Sequence, residues 1–206
     1  MSEWPVKSGS DNVGDIQILA LLSQIMRTLV IHPKDSTTTF LSKIYAHLKD
    51  KTEVTGGITK SELRELIESH DRIILLGHGS PCGLLSRGQF PDAGLYIIDL
   101  SMVPAFKEKS NCMYIWCYAD QFVHRHGLSG LCSGMFISEL REAGYFGFDK
   151  INYSLIDQSN KKFSFILSEY IDEPIDVLYK KLANEYKLLA SMNPIAKFNV
   201  ERIYIT

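Results

Sequence analysis

Cysteine is the first thing this chain is short of: four in 206 residues are too few for a disulfide scaffold. Each thiol therefore reads either as buried filler or as a reactive group. An excess of one charge is also lacking. The 22 Lys and Arg residues nearly balance the 24 Asp and Glu residues, leaving a formal charge of −2. Nothing here draws a phosphate backbone or an anionic lipid surface, so nucleic acid is not an expected partner. The longest apolar runs, residues 16–22 and 73–76, fall far short of the roughly 20 residues that a membrane span needs, and no membrane is expected either. Glu3, Asp11 and Asp15 precede the first apolar stretch without a basic segment, which argues against a secretory signal and makes the cytoplasm the expected compartment. Cys-x2-Cys and His-x3-His steps are missing, so His124 and His126 are expected to be polar surface residues and no metal is expected. Neither Gly-x-Gly-x-x-Gly nor a P-loop lysine occurs, which weakens nucleotide binding.

What is present is a hydrophobic content of 45% and an alternation of short apolar runs with amphipathic stretches. Residues 1–25 read as an N-terminal extension carrying one short helix candidate at 16–25. Residues 26–206 read as a single α/β domain, a size able to bury one sizeable core. Buried strands are expected at 27–32, 72–76 and 113–116, with shorter strands at 84–85, 95–98, 145–148 and 202–205. Helices are expected at 39–48, 101–109, 133–143, 163–170 and 175–189. Another should follow Thr59, with Glu62 completing a capping box ahead of Leu63, Leu66 and Ile67. Phe122 and Val123 should pack a helix after Cys117. Phe136, Ile137 and Leu140, with Met135 nearby, read as an apolar helical stripe, and Lys180, Lys181 and Lys187 as a solvated face. Strands alternating with helices imply a mostly parallel sheet covered on both faces, with ligands gathering at the carboxyl ends of the strands.

Two central strands end in reactive residues. One stops at Gly77-His78-Gly79 and the other at Cys117-Tyr118-Ala119-Asp120. As parallel neighbours about 4.8 Å apart, they would bring His78 and Cys117 to one rim. A thiol needs a partner that takes its proton or stabilises its thiolate, and an imidazole suits that task near neutral pH. Gly79 has no Cβ to hold off a substrate carbonyl, so its N–H and that of Cys117 are candidate oxyanion donors. Trp116 should face the opposite side of the sheet from Cys117. Cys82, Cys112 and Cys132 read as filler.

The blocks RIILLGHGS and CMYIWCYAD resemble the caspase, gingipain, clostripain and CHAT group of cysteine peptidases, in which one apolar strand ends in His-Gly and another in a cysteine. The resemblance extends over about residues 27–150 in element order. The caspase signature Gln-Ala-Cys followed by a small or polar residue and Gly is absent. It implies a three-layer caspase-like sandwich, a His78–Cys117 dyad without cofactor, and a loop after the first strand that contributes to the pocket for the residue before the cut. That loop holds Asp35, whose carboxylate would favour Lys or Arg there. Asp35 reads equally as the cap of the following helix. Asp120 is a further candidate for the pocket, for orienting His78, or for capping its own helix.

The expected function is thus peptide-bond hydrolysis through a thioester on Cys117, resolved by water with help from His78, on a peptide or protein substrate and with a dedicated protein partner. The rivals are a catalytically silent peptide- or protein-binding module and a small-ligand sensor built on the same rim. A thiol that is alkylated selectively at neutral pH separates the enzyme from both.

Overall fold

The computed structural model describes residues 26–206, so the helix candidate at 16–25 lies outside the described residues. Among the described residues nine strands occur: β1 (Thr28–Ile31), β2 (Lys51–Val54), β3 (Arg72–Leu76), β4 (Gly79–Ser80), β5 (Gly83–Leu85), β6 (Tyr96–Ile98), β7 (Asn111–Ile115), β8 (Leu131–Ser133) and β9 (Ile203–Ile205). Six of them form one sheet in the order β2-β1-β3-β7-β8-β9. All of its pairs are parallel except β8 with β9. A small antiparallel sheet, β4-β5-β6, lies apart from it.

β3 is buried along its whole length, as a central strand covered on both faces must be. Its four aliphatic side chains each stabilise the fold by roughly 1.5–3 kcal/mol before conformational entropy is counted. The charge at its start, Arg72, is buried yet satisfied. It donates to Thr28 Oγ1 at 2.9 Å, to the Ile171 carbonyl at 2.7 Å and to Asp172 Oδ1 at 3.0 Å.

Alternate residues of the central strands serve different cores. Ile73, Leu75, Tyr114 and Trp116 belong to one cluster, Ile74, Leu76, Met113 and Ile115 to the other. The first is closed by helix α1 (Lys60–Ser69), a 3-10 segment (Leu100–Phe106), α2 (Ala119–His126) and the small sheet. The second is closed by a 3-10 segment (Ser36–Ile44) and helices α4 (Tyr153–Glu169), α5 (Ile175–Ala190) and α6 (Pro194–Val200). The short α3 (Leu140–Tyr145) precedes them.

Several expectations are corrected. Residues 133–143 are not one helix. Ser133 ends β8, the chain then runs without regular structure to Ser138, and only α3 is helical. Phe136 and Ile137 are buried in different clusters, whereas Leu140 is exposed, so the supposed stripe has no single face. Residues 145–148 are a helix end and a turn, not a strand. The expected helices at 39–48 and 101–109 are the two 3-10 segments, each begun by an aspartate, Asp35 or Asp99, that caps its first turn. Strands β2, β4 and β8 and helix α6 had no expectation.

Candidate functional site

β1 and β3 pair side by side while β2 flanks β1 on the other side, so the chain reverses direction across the sheet between β1 and β3. Loops that leave the carboxyl ends of strands at such a point form a crevice. Three loops meet there, carrying Asp35 and Thr37 after β1, His78 after β3, and Cys117 after β7. In the β3–β7 pair, Leu76 lies opposite Ile115. His78 and Cys117 each stand two residues beyond that pair, so equal offsets set them across from one another. Both line a small cavity of about 20 Å³ with Phe40 and Phe136, space for about one water molecule.

The β1 loop holds His78 from behind. Asp35 Oδ1 accepts from the Thr37 backbone N–H at 2.9 Å and from Thr37 Oγ1 at 2.8 Å. Thr37 Oγ1 lies 2.6 Å from His78 Nε2. A hydroxyl has one hydrogen, and Thr37 gives it to Asp35, so Nε2 supplies the N–H of the second bond and Nδ1 is left as the imidazole's acceptor. On its other side, the loop is gripped by His32, with Nε2 at 3.1 Å from Thr38 Oγ1 and Nδ1 at 3.0 Å from the Tyr45 hydroxyl.

Asp35 also forms an ion pair with Arg87, which comes from the loop between β5 and β6. Burial alone would raise the Asp35 pKa. The hydrogen bonds from Thr37 and the charge of Arg87 outweigh that and hold it below the usual carboxylate range. Asp35 thus caps the 3-10 segment, as one of its sequence readings expects, while its other carboxylate oxygen faces the chain's own guanidinium.

Cys117 follows β7 through a tight turn. Tyr118 adopts a left-handed φ of 66° and caps α2, and the Ala119 N–H bonds the Trp116 carbonyl at 3.2 Å. A side chain in that region costs roughly 1–2 kcal/mol, a strain that recurs at functional turns. The thiol donates to the Phe136 carbonyl at 3.6 Å. Burial, followed by the Glu142 charge, pushes its pKa up to about 12, so it rests as a thiol at neutral pH. The segment bearing Phe136 is fixed by Asn199, which accepts from Ile137 N–H at 2.8 Å and donates to the Ile137 carbonyl at 2.9 Å. Glu142 Oε2 accepts from Ser138 and Glu139 backbone N–H groups at 2.7 and 3.0 Å.

No protein-family model, curated protein or solved structure matches this chain. What the site does must be taken from its own atoms.

Gly79 has a packing reason to be glycine. A Cβ there would stand 2.0 Å from Trp116 Cδ1 and 2.6 Å from the Gly83 carbonyl oxygen. Trp116 is buried in the cluster opposite the Cys117 side and donates from Nε1 to the Ser80 carbonyl at 3.1 Å, stitching the two loops together. Asp120 makes no hydrogen bond to His78. It lies in the first turn of α2, its Oδ1 is buried without a hydrogen-bond partner among the described residues, and its charge adds to burial in raising the Cys132 pKa to about 12. Cys112 and Cys132 are buried filler, whereas Cys82 is exposed. Thr37, Arg87 and Glu142 were not singled out from sequence, and Phe136 was read only as part of an apolar stripe. The only signal for Thr37 is the Asp-Ser-Thr-Thr-Thr run, which reads first as a cap.

Proposed function

We propose that this chain is a cysteine endopeptidase of caspase-like architecture, with Cys117 as nucleophile and His78 as acid and base. The observation that carries this is the equal offset of His78 and Cys117 past the β3–β7 pair, with both facing one cavity. Support comes also from Thr37, which occupies His78 Nε2 and leaves Nδ1 to accept the thiol proton. The six-stranded sheet with helices on both faces fits the three-layer sandwich that the His-Gly and strand-end Cys blocks suggest.

In this reading the thiol leaves the Phe136 carbonyl, passes its proton to His78 Nδ1 and attacks the scissile carbonyl. The N–H groups of Gly79 and Cys117 receive the oxyanion. His78 protonates the leaving amine, and water, deprotonated by His78, releases the acyl group from Cys117. The resting thiol is unactivated, so binding of a peptide or of a dedicated protein partner has to turn it toward His78. Asp35 favours Arg or Lys before the cut.

The same resting thiol favours a second reading. A cysteine bonded to Phe136 with a pKa near 12 suits a catalytically silent module that binds peptide in this rim.

The test is hydrolysis of Arg- and Lys-containing peptides by the full chain, with intact-mass alkylation of Cys117 across pH 5–9 in their presence and absence. The expected result is turnover that falls at least ~10³-fold in Cys117→Ala and His78→Ala, with peptide accelerating alkylation in the wild type. Peptide binding with no turnover and an inert Cys117 would transfer the assignment to the module.

A further inference from the structure

We propose that Arg87 is a built-in occupant of a guanidinium subsite at Asp35, competing with the arginine side chain of a substrate. The inference rests on the peptidase reading for the identity of the substrate, and on separate observations for the subsite.

The Asp35 side chain is only 6% exposed, and a buried carboxylate demands a cation. Oδ1 is saturated by two bonds from Thr37. Oδ2 faces Arg87 Nε in the ion pair but has no aligned hydrogen bond among the described residues. Arg87 therefore neutralises the subsite without satisfying it. A guanidinium entering with an N–H aimed at Oδ2 gains the hydrogen bond that Arg87 does not make.

The placement of Arg87 is costly for its own backbone. Arg87 and Gly88 both have positive φ, 54° and 71°, and the Gln89 N–H closes on the Ser86 carbonyl at 3.0 Å. That is the φ pattern of a type I′ turn, whose first central position favours Asn, Asp or Gly. The turn is pinned from outside, since the Gly57 N–H donates to the Gln89 carbonyl at 2.8 Å. A strained arginine held by a fixed turn against a buried, half-satisfied carboxylate one threonine away from His78 suits an internal ligand. Its own side chain is 46% exposed, so it can swing into solvent when displaced.

The variant Arg87→Asn removes the guanidinium and supplies a residue that the turn prefers, so folding is protected. Calorimetric binding of agmatine, a free guanidinium probe, to the full chain reads the subsite without turnover. An occupant present about nine-tenths of the time lowers apparent affinity ~10-fold. Arg87→Asn is therefore expected to bind agmatine ~10-fold more tightly and to lower KM for Arg peptides by a similar factor. Asp35→Asn, which preserves the cap, should abolish agmatine binding. Unchanged or weaker agmatine binding in Arg87→Asn overturns the proposal and marks the ion pair as a structural tie. Tighter agmatine binding with no peptide cleaved by either protein upholds the subsite and overturns the peptidase. Cleavage by the wild type without tighter agmatine binding in the variant does the reverse.

Discussion

Burial pushes the His32 imidazole down to a pKa of about 4, against the opposing charge of Asp35 and hydrogen bonding from the ring to the Thr38 backbone. In the unfolded chain the same group titrates near 6.5. Between those values the unfolded state holds a proton that the folded state does not, so stability falls as pH drops through this window. The full effect is roughly 3 kcal/mol. Urea unfolding at pH 7, 5.5 and 4 should show that loss in the wild type and much less of it in His32→Gln; parallel pH profiles would remove His32 as the cause. Because His32 grips Thr38 beside Thr37, the acid limb of any activity should fall with it. At this scale the meeting of His78 and Cys117 at one cavity was legible, since each stands at the end of an apolar run. Thr37 was not, because a threonine after Asp-Ser reads as a capping residue and its hydroxyl meets His78 only across 41 residues of chain. Arg87 was hidden for the same reason, as nothing local marks an arginine beside a glycine as the partner of an aspartate 52 positions earlier.

In the irregular segment between β8 and α3, Ile137 is held by one side chain. Asn199 is fully buried and bonds both backbone groups of Ile137, as well as Ser159 Oγ at 3.2 Å. Asn199→Ala leaves those groups unpaired and should cost roughly 2–3 kcal/mol in urea unfolding. It should also loosen the Phe136 carbonyl and speed alkylation of Cys117, and an unchanged labelling rate would show that the Phe136 contact does not restrain the thiol. Elements with a local signature were readable from sequence. The capping box of Thr59 and Glu62 forms as expected, with Thr59 N–H donating to Glu62 Oε2 at 2.7 Å, and residues 72–76 are β3 itself. The failures share a cause, which is that distant partners decide the conformation. Phe136 and Ile137 fill separate clusters, so their spacing imitates a helix face. Strand β2, Lys-Thr-Glu-Val, buries only Val54 and is a strand because β1 pairs with it.

For the molecule as a whole, the sheet order puts β3 and β7 in the middle and leaves β2 at an edge. Amide exchange should follow that order, slowest in β3 and β7 and fastest among strands in β2; equal protection in β2 would contradict the edge assignment. The alternation of strands and helices made the parallel sheet legible, and β5, β6 and β9 lie where short strands are expected, whereas the antiparallel pairing of β9 and of the β4-β5-β6 sheet is set by partners that such short segments do not announce. No helix among the described residues is long and apolar enough to cross a membrane. Side chains that alternate across β7 put Trp116 in one core and turn Cys117 toward the other. Only one other tryptophan, Trp4, occurs in the chain. The end of β7 thus offers two neighbouring reporters that face different layers. Indole emission follows the layer that carries the Ser80 loop, thiol chemistry follows the layer that carries Phe136, and the order in which the two signals change upon binding tells which side of the sheet gives way first.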